Sequence, residues 1–162
     1  MNVFLSYAVH PFDAPIAARL RAVAAAYEIA VLLPARIDGV QYRPTAEVES
    51  QMRASDAVIA LIAGNAPDQA INSVNNELQL AAQFGKPVIA LIERNVQFQP
   101  GPETQVVFFN RLEPAAHEQA LVDALAKLRQ KLQVKQSLIS LGWIAGITLG
   151  LFALSELVSE KK

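Results

Sequence analysis

The sequence predicts an α/β fold built on a five-stranded parallel sheet, followed by one transmembrane helix. Short apolar, β-prone runs alternate over residues 1–133 with segments whose apolar residues recur at helical spacing. The run DAVIALIA (56–63) is apolar at nearly every position, which is typical of a strand covered by helices on both faces. Because strands separated by helices need crossover connections, we expect the strands to run parallel.

The strands and the first two helices follow from local signals. The predicted strands are NVFLSY, IAVLLP, DAVIALIA, VIALIE and QVVFF, at 2–7, 29–34, 56–63, 88–93 and 105–109. The first helix is expected to begin at Asp13 or Pro15, since such residues are favoured at a helix start. Thr45 is the expected N-cap of a short second helix, in which Val48 and Met52 lie one turn apart.

Two further helices are predicted. The third is expected to begin at Ser73, after a loop rich in Gly, Asn, Pro and Asp (64–72), and to end at Gly85. The last begins near Pro114 and carries a leucine stripe formed by Leu121, Leu125, Leu128 and Leu132. No Pro or Gly lies between Ala115 and Leu141, so this helix is expected to continue into the segment that follows.

Composition excludes several classes of function. The net charge of −1 offers no basic surplus for nucleic acid, so no nucleic-acid partner is expected. Without cysteine there is no thiolate ligand or cysteine nucleophile. The two histidines, His10 and His117, are far apart in the sequence, so no histidine metal site is expected. The sequence also lacks the glycine-rich motifs of dinucleotide and P-loop sites. No metal and no cofactor is therefore expected.

The segment from Gln136 to Ser155 predicts a membrane span. Its twenty residues carry no charge, and about 20 apolar residues suffice to cross a bilayer as a helix. A buried core helix is the alternative. Basic residues precede the span, which favours a cytoplasmic N-terminal domain: Lys127, Arg129, Lys131 and Lys135. The expected organisation is a domain at 1–133, a transmembrane helix at 134–157 and a short tail at 158–162.

Three glycines recur every four residues in this span: Gly142, Gly146 and Gly150. Such a ridge allows two membrane helices to approach closely, so we expect it to support self-association. Glycine is also common in membrane helices generally, which is the alternative explanation.

Glu77 is the candidate functional residue, because it interrupts the apolar face of the third predicted helix. On a helical wheel it lies between Ala81 and Phe84, whereas the other polar side chains beyond the cap face outward. A helix that begins at Ser73 places Glu77 in its first turn, where an acid gains about 0.3–1 kcal/mol from the helix dipole. That gain is equally available at exposed positions, so an acid that faces a ligand is favoured.

Three segments resemble bacterial-type TIR (Toll/interleukin receptor) domains: VFLSYA (3–8), MRASDAVIALIA (52–63) and SVNNELQLAAQFGKPVIALI (73–92). The last resembles the family segment W-V-x-x-E-x-x-x-A…GKPVI, with Ser73 in place of the tryptophan. Nucleoside deoxyribosyltransferase-like proteins share a related pattern, E-x-x-x-A-x-x-x-x-K-P-V-I. The resemblance implies a flavodoxin-like TIR fold over about residues 1–130.

The resemblance also implies an activity and a site. Glu77 matches the glutamate that TIR enzymes need to cleave the nicotinamide–ribose bond of NAD, which makes NAD the substrate rather than a cofactor. The resemblance implies that Ser6 and Tyr7 line the nucleotide cleft and that residues 34–44 form the mobile loop used in substrate access.

From the residues themselves, His10, Tyr42 and Arg43 are further candidates for substrate binding. For His10 an exposed loop residue is the favoured alternative. For Tyr42 packing within the loop is an equal alternative, and Arg43 could instead keep the loop soluble.

The expected function is that of a membrane-anchored enzyme, an NAD glycohydrolase or cyclase, that acts on self-assembly in antiphage or immune signalling. Its expected partners are NAD or a related nucleotide, other copies of the chain and the membrane. One alternative is a non-enzymatic TIR scaffold that recruits a partner at the membrane. Another is a nucleoside deoxyribosyltransferase-like enzyme.

Overall fold

The computed structural model describes residues 1–9, 11, 13–34, 43–64, 68–102, 104–113, 120–130 and 132. It confirms the predicted α/β fold and its five parallel strands. The strands are β1 (Asn2–Tyr7), β2 (Ala30–Leu32), β3 (Ala57–Ile62), β4 (Val88–Glu93) and β5 (Gln105–Phe109). The helices are α1 (Ala14–Ala26), α2 (Ala46–Ala54), α3 (Asp68–Gln83) and α4 (120–130). The sheet lies within the first of two compact units, Met1–Ala126 and Lys127–Lys162.

The strand order is β2-β1-β3-β4-β5, so the direction of winding reverses between β1 and β3. From β1 the chain adds β2 on one side and then crosses to add β3, β4 and β5 on the other. In sheets of this kind ligands bind beyond the carboxyl ends of the strands at that reversal. We therefore expect a ligand site near the carboxyl ends of β1 and β3.

Two apolar clusters form the core on the face of the sheet that α3 covers. The first joins Phe4 of β1 and Val58 of β3 to Val48 and Met52 of α2 and to Ala81 of α3. The second consists of Ala60, Ile62, Val74, Ala90 and Ile92. Both clusters include residues of α3, which explains the apolar periodicity of that helix.

The ends of α2 and α3 are fixed by specific contacts. Thr45 caps α2 as predicted, since its Oγ1 accepts a hydrogen bond from the Val48 amide at 3.2 Å. Gly85 follows α3 with a φ of +61°, a conformation that glycine adopts without steric cost. Lys86 Nζ then donates to the carbonyl oxygens of Arg53 at 2.9 Å and Ser55 at 2.5 Å. These bonds connect the end of α2 to the residues that lead into β4.

The structure confirms the expected start of α1 at Asp13 and corrects the expected start of α3. α3 begins at Asp68, five residues before the predicted Ser73, so Ser73 is buried inside the helix rather than capping it. Glu77 consequently lies in the third turn, and the helix dipole, which acts within the first turn, does not explain it. Asp13 occupies the N-cap position of α1 but makes no side-chain cap hydrogen bond.

The predicted membrane span, 134–157, lies outside the described residues, as do Gly142, Gly146 and Gly150. Among the residues that the structure does describe, no helix combines the length and the apolar character needed to cross a membrane. The domain boundaries at 133 and 157 and the cytoplasmic orientation stay predictions.

Candidate functional site

Glu77 is buried in the core face of α3, where it contacts β1. Its side chain is 2% exposed, and Ser6 Oγ donates a hydrogen bond to Glu77 Oε2 at 2.5 Å. Ser6 itself is fully buried. Transferring a carboxylate from water into an apolar interior costs several kcal/mol unless other groups compensate it. A buried acid in this position therefore calls for an explanation beyond packing.

This contact lies close to the carboxyl edge of the sheet. Ser6 is the second-to-last residue of β1 and pairs with Ala60 of β3. The Ser6–Glu77 pair thus lies at the boundary between β1 and β3, where the winding direction of the sheet reverses. Ligands usually bind at this position in sheets of this strand order. The burial of Glu77 and its place at the reversal are independent observations that indicate the same location.

A row of small residues lets α3 approach the sheet here. Ser6 pairs with Ala60, and Ala60 pairs with Ala90, so three adjacent strands carry small side chains at one level. Strand residues alternate between the two faces, so Ser6 shares its face with Phe4. Phe4 belongs to the apolar cluster under α2 and α3, and the Ser6–Glu77 hydrogen bond therefore forms on that same face.

A second charged cluster occupies the same edge of the sheet, at the ends of β4 and β5. Arg111 Nε and Nη2 donate to the two carboxylate oxygens of Glu93 at 2.6 and 2.9 Å. Arg111 Nη2 also lies 3.4 Å from Oδ1 of the buried Asp13. The Gly64 amide donates to Glu93 Oε2 at 2.9 Å. These contacts connect the residues after β3, β4 and β5 with the start of α1.

The ion pair favours the charged form of both partners. The hydrogen bonds from Arg111 lower the pKa of Glu93 below its ordinary value of 4.5; burial opposes this shift and the Gly64 amide adds to it. The Glu93 carboxylate in turn raises the pKa of the Arg111 guanidinium above its ordinary value. Both groups are therefore charged at neutral pH.

An apolar cavity of about 270 Å³ lies on the other face of the sheet from Glu77. Leu61 lines it, and Leu61 pairs with Tyr7, the strand neighbour of Ser6 that points to the opposite face. Its other lining residues include Leu20, Leu91 and Arg111. Because the described residues of this lining include no carboxylate, we place the candidate chemistry at Glu77.

The structure brings together only part of the predicted site. Glu77 and Ser6 are in direct contact, whereas Tyr7 is largely buried on the opposite face of the sheet. Arg43 is exposed just before α2. His10 and Tyr42 lie outside the described residues, and their expected roles stay predictions.

Sequence reasoning did not find the Arg111–Glu93–Asp13 cluster. A signal was present, because Glu93 ends the fourth predicted strand and Arg111 follows the fifth. The carboxyl ends of parallel neighbouring strands meet at one edge of the sheet, so opposite charges in these positions are expected to pair. Asp13 was interpreted as a helix cap, so its ion pair with Arg111 was not predicted.

Comparisons with known proteins support the fold. Neither the protein-family models nor the curated protein sequences give a match. Among solved structures, the CMP N-glycosidase BcmB from Clostridium botulinum is similar, with a TM-score of 0.51 and 13% identity. The match covers 75% of this chain and 98% of the glycosidase chain. At this identity the likeness concerns the fold.

The expected TIR identity is corrected by these comparisons, because the similar structure is an N-glycosidase and no family model matches. The segment that carried the resemblance also has a packing explanation. Ala81 is fully buried in the core, Gly85 adopts a positive φ, and Lys86 binds the carbonyl groups at the end of α2. An E-x-x-x-A…GKP pattern can thus arise from the geometry of this αβ junction without indicating a particular family.

Proposed function

We propose that this protein cleaves the N-glycosidic bond of a nucleoside or nucleotide, with the carboxyl group of Glu77 acting at the anomeric carbon. The observation that carries the proposal is the buried Glu77, held by Ser6 at the reversal between β1 and β3. The similar fold of a CMP N-glycosidase supports a nucleotide as the substrate class.

The chemistry requires one well-placed carboxylate. When the bond between C1′ and the base nitrogen breaks, its electron pair leaves with the base and positive charge develops on the ribosyl ring. A carboxylate stabilises that charge or attacks C1′ to form a glycosyl ester, as in glycoside hydrolysis. Water then supplies a hydroxyl group to C1′ and a proton to the base. A largely dry site strengthens this electrostatic stabilisation.

The test is release of a free base from a panel of substrates. Purified full-length protein is incubated with CMP, the other ribonucleoside and deoxyribonucleoside monophosphates, the matching nucleosides and NAD, and products are separated by chromatography. We expect base release from at least one nucleoside or nucleoside monophosphate. Cleavage of NAD alone, or of no compound, would contradict the proposal.

Glu77→Gln identifies the residue responsible. Glutamine keeps the shape and a carbonyl acceptor but removes the charge, so we expect a loss of at least about 10²-fold in kcat. Glu47→Gln is the matched control, because Glu47 is an exposed glutamate of α2. If the Glu77 and Glu47 variants retain the same activity as the unmodified protein, Glu77 is not the catalytic group.

A second base added to the reaction identifies the acceptor. Transfer of the ribosyl group to water yields a free sugar or sugar phosphate, and transfer to the added base yields a new nucleoside. Both reactions use the same carboxylate and break the same bond. The ratio of the two products therefore distinguishes a hydrolase from a deoxyribosyltransferase-like enzyme.

A further inference from the structure

We infer that Ser6 is a positioning residue for Glu77 rather than a residue that binds substrate. The inference rests on the proposed function and deepens it. Ser6 was expected to line a nucleotide cleft, but the structure places its hydroxyl against Glu77 Oε2. Whether Ser6 can also bind substrate then depends on whether this hydroxyl can donate a second hydrogen bond.

The hydroxyl group of Ser6 has a single proton to donate. In its contact with Glu77 the serine hydroxyl is the donor. That proton is then unavailable to a ribose or phosphate oxygen. Ser6 is also fully buried, and Glu77 is 2% exposed. The buried serine hydroxyl is therefore not available to a ligand at the protein surface.

The two side chains differ in freedom of movement, and this difference suits a positioning role. The side chain of Ser6 is short, and its backbone is held in β1, where Ser6 pairs with Ala60 of β3. Glu77 has a longer side chain with more rotatable bonds, so its carboxylate has more orientations to choose among than the serine hydroxyl has. A hydrogen bond from a fixed strand restricts these orientations before substrate arrives. Such preorganisation lowers the barrier of the chemical step.

Positioning and substrate binding predict different kinetics. Loss of a group that orients the catalytic acid lowers kcat, while loss of a group that only binds substrate raises KM. For Ser6→Ala we expect kcat to fall about 10²-fold, in line with the effect of small misplacements of reacting groups. We expect KM to change by less than about 3-fold, since no substrate contact is removed.

The experiment compares three variants of the full-length protein on the best nucleoside or nucleotide substrate. Ser6→Ala removes the hydroxyl, and Ser6→Cys keeps a side chain of similar size with a weak donor. Ser55→Ala is the matched control, because Ser55 is also buried and donates its hydroxyl to Met52 O at 2.7 Å. Steady-state kinetics and thermal unfolding are measured for each.

We expect kcat to be highest for the unmodified protein, lower for Ser6→Cys and lowest for Ser6→Ala, with similar KM values. Ser55→Ala should have the same kcat as the unmodified protein. If Ser6→Ala does not fold, the comparison with Ser6→Cys decides the matter. An increase in KM at constant kcat would show that Ser6 binds substrate, and unchanged kinetics would leave it a purely structural role. Either result overturns the inference alone, whereas an unmodified protein that releases no base overturns the proposed function itself.

Discussion

Arg111 binds Glu93 through two nitrogen atoms, with Nε 2.6 Å from Oε1 and Nη2 2.9 Å from Oε2. This bidentate pair joins the turn after β5 to the end of β4. The same Glu93 carboxylate accepts the Gly64 amide after β3, so one side chain connects the ends of three parallel strands. The pair therefore stabilises the edge at which Ser6 and Glu77 also lie.

Stability should depend on pH through Glu93. Hydrogen bonds from Arg111 hold the folded-state pKa of Glu93 below 4.5, its ordinary value. The carboxylate therefore stabilises the fold at pH values above its unfolded pKa, and this contribution disappears as pH falls through the folded pKa. We expect the melting temperature to decrease below about pH 4.5. In Glu93→Gln this part of the decrease should be absent; an identical pH dependence in both proteins would contradict the prediction.

Removal of Arg111 should destabilise the fold more than removal of one of its acidic partners. Arg111→Ala leaves Glu93 and the buried Asp13 without this cation. We expect a loss of about 1.5–3 kcal/mol in the free energy of unfolding, the usual value of hydrogen bonds to charged groups. Asp13→Asn should cost less, because its contact with Arg111 is longer, at 3.4 Å. Urea titrations that show a larger loss for Asp13→Asn would reverse this ranking.

Substitution of Gly85 should lower the free energy of unfolding because of its backbone conformation alone. Its φ is +61°, and a Cβ atom added there would meet no atom within 4 Å. Gly85→Ala should therefore cost about 1–2 kcal/mol through strain rather than through a clash. Gly101→Ala is the control, since its Cβ would meet only Thr104 Oγ1 at an ordinary 3.5 Å. Equal midpoints of urea unfolding for the two variants would contradict this explanation.

Local periodicity predicted the sheet because its central strands are buried on both faces, as in the fully buried run of β3. It also predicted that Glu77 lies on an inward face. The start of α3 was missed because the loop-forming composition of 64–72 suggested a turn, whereas the helix begins at Asp68. The partner of Glu77 was not predictable from the helix pattern, since Ser6 is 71 positions away and meets it only through the fold.

Glu77 should contribute little to stability if it is retained for catalysis. Its carboxyl group is desolvated, and a neutral glutamine of the same shape can still accept the hydrogen bond from Ser6. We therefore expect Glu77→Gln to unfold at the same or a higher urea concentration, since catalytic groups are often held at some cost to stability. Urea titrations monitored by circular dichroism measure this directly. A loss greater than about 1 kcal/mol would instead identify Glu77 as a structural acid, because removal of a required hydrogen-bond partner has a cost of that size.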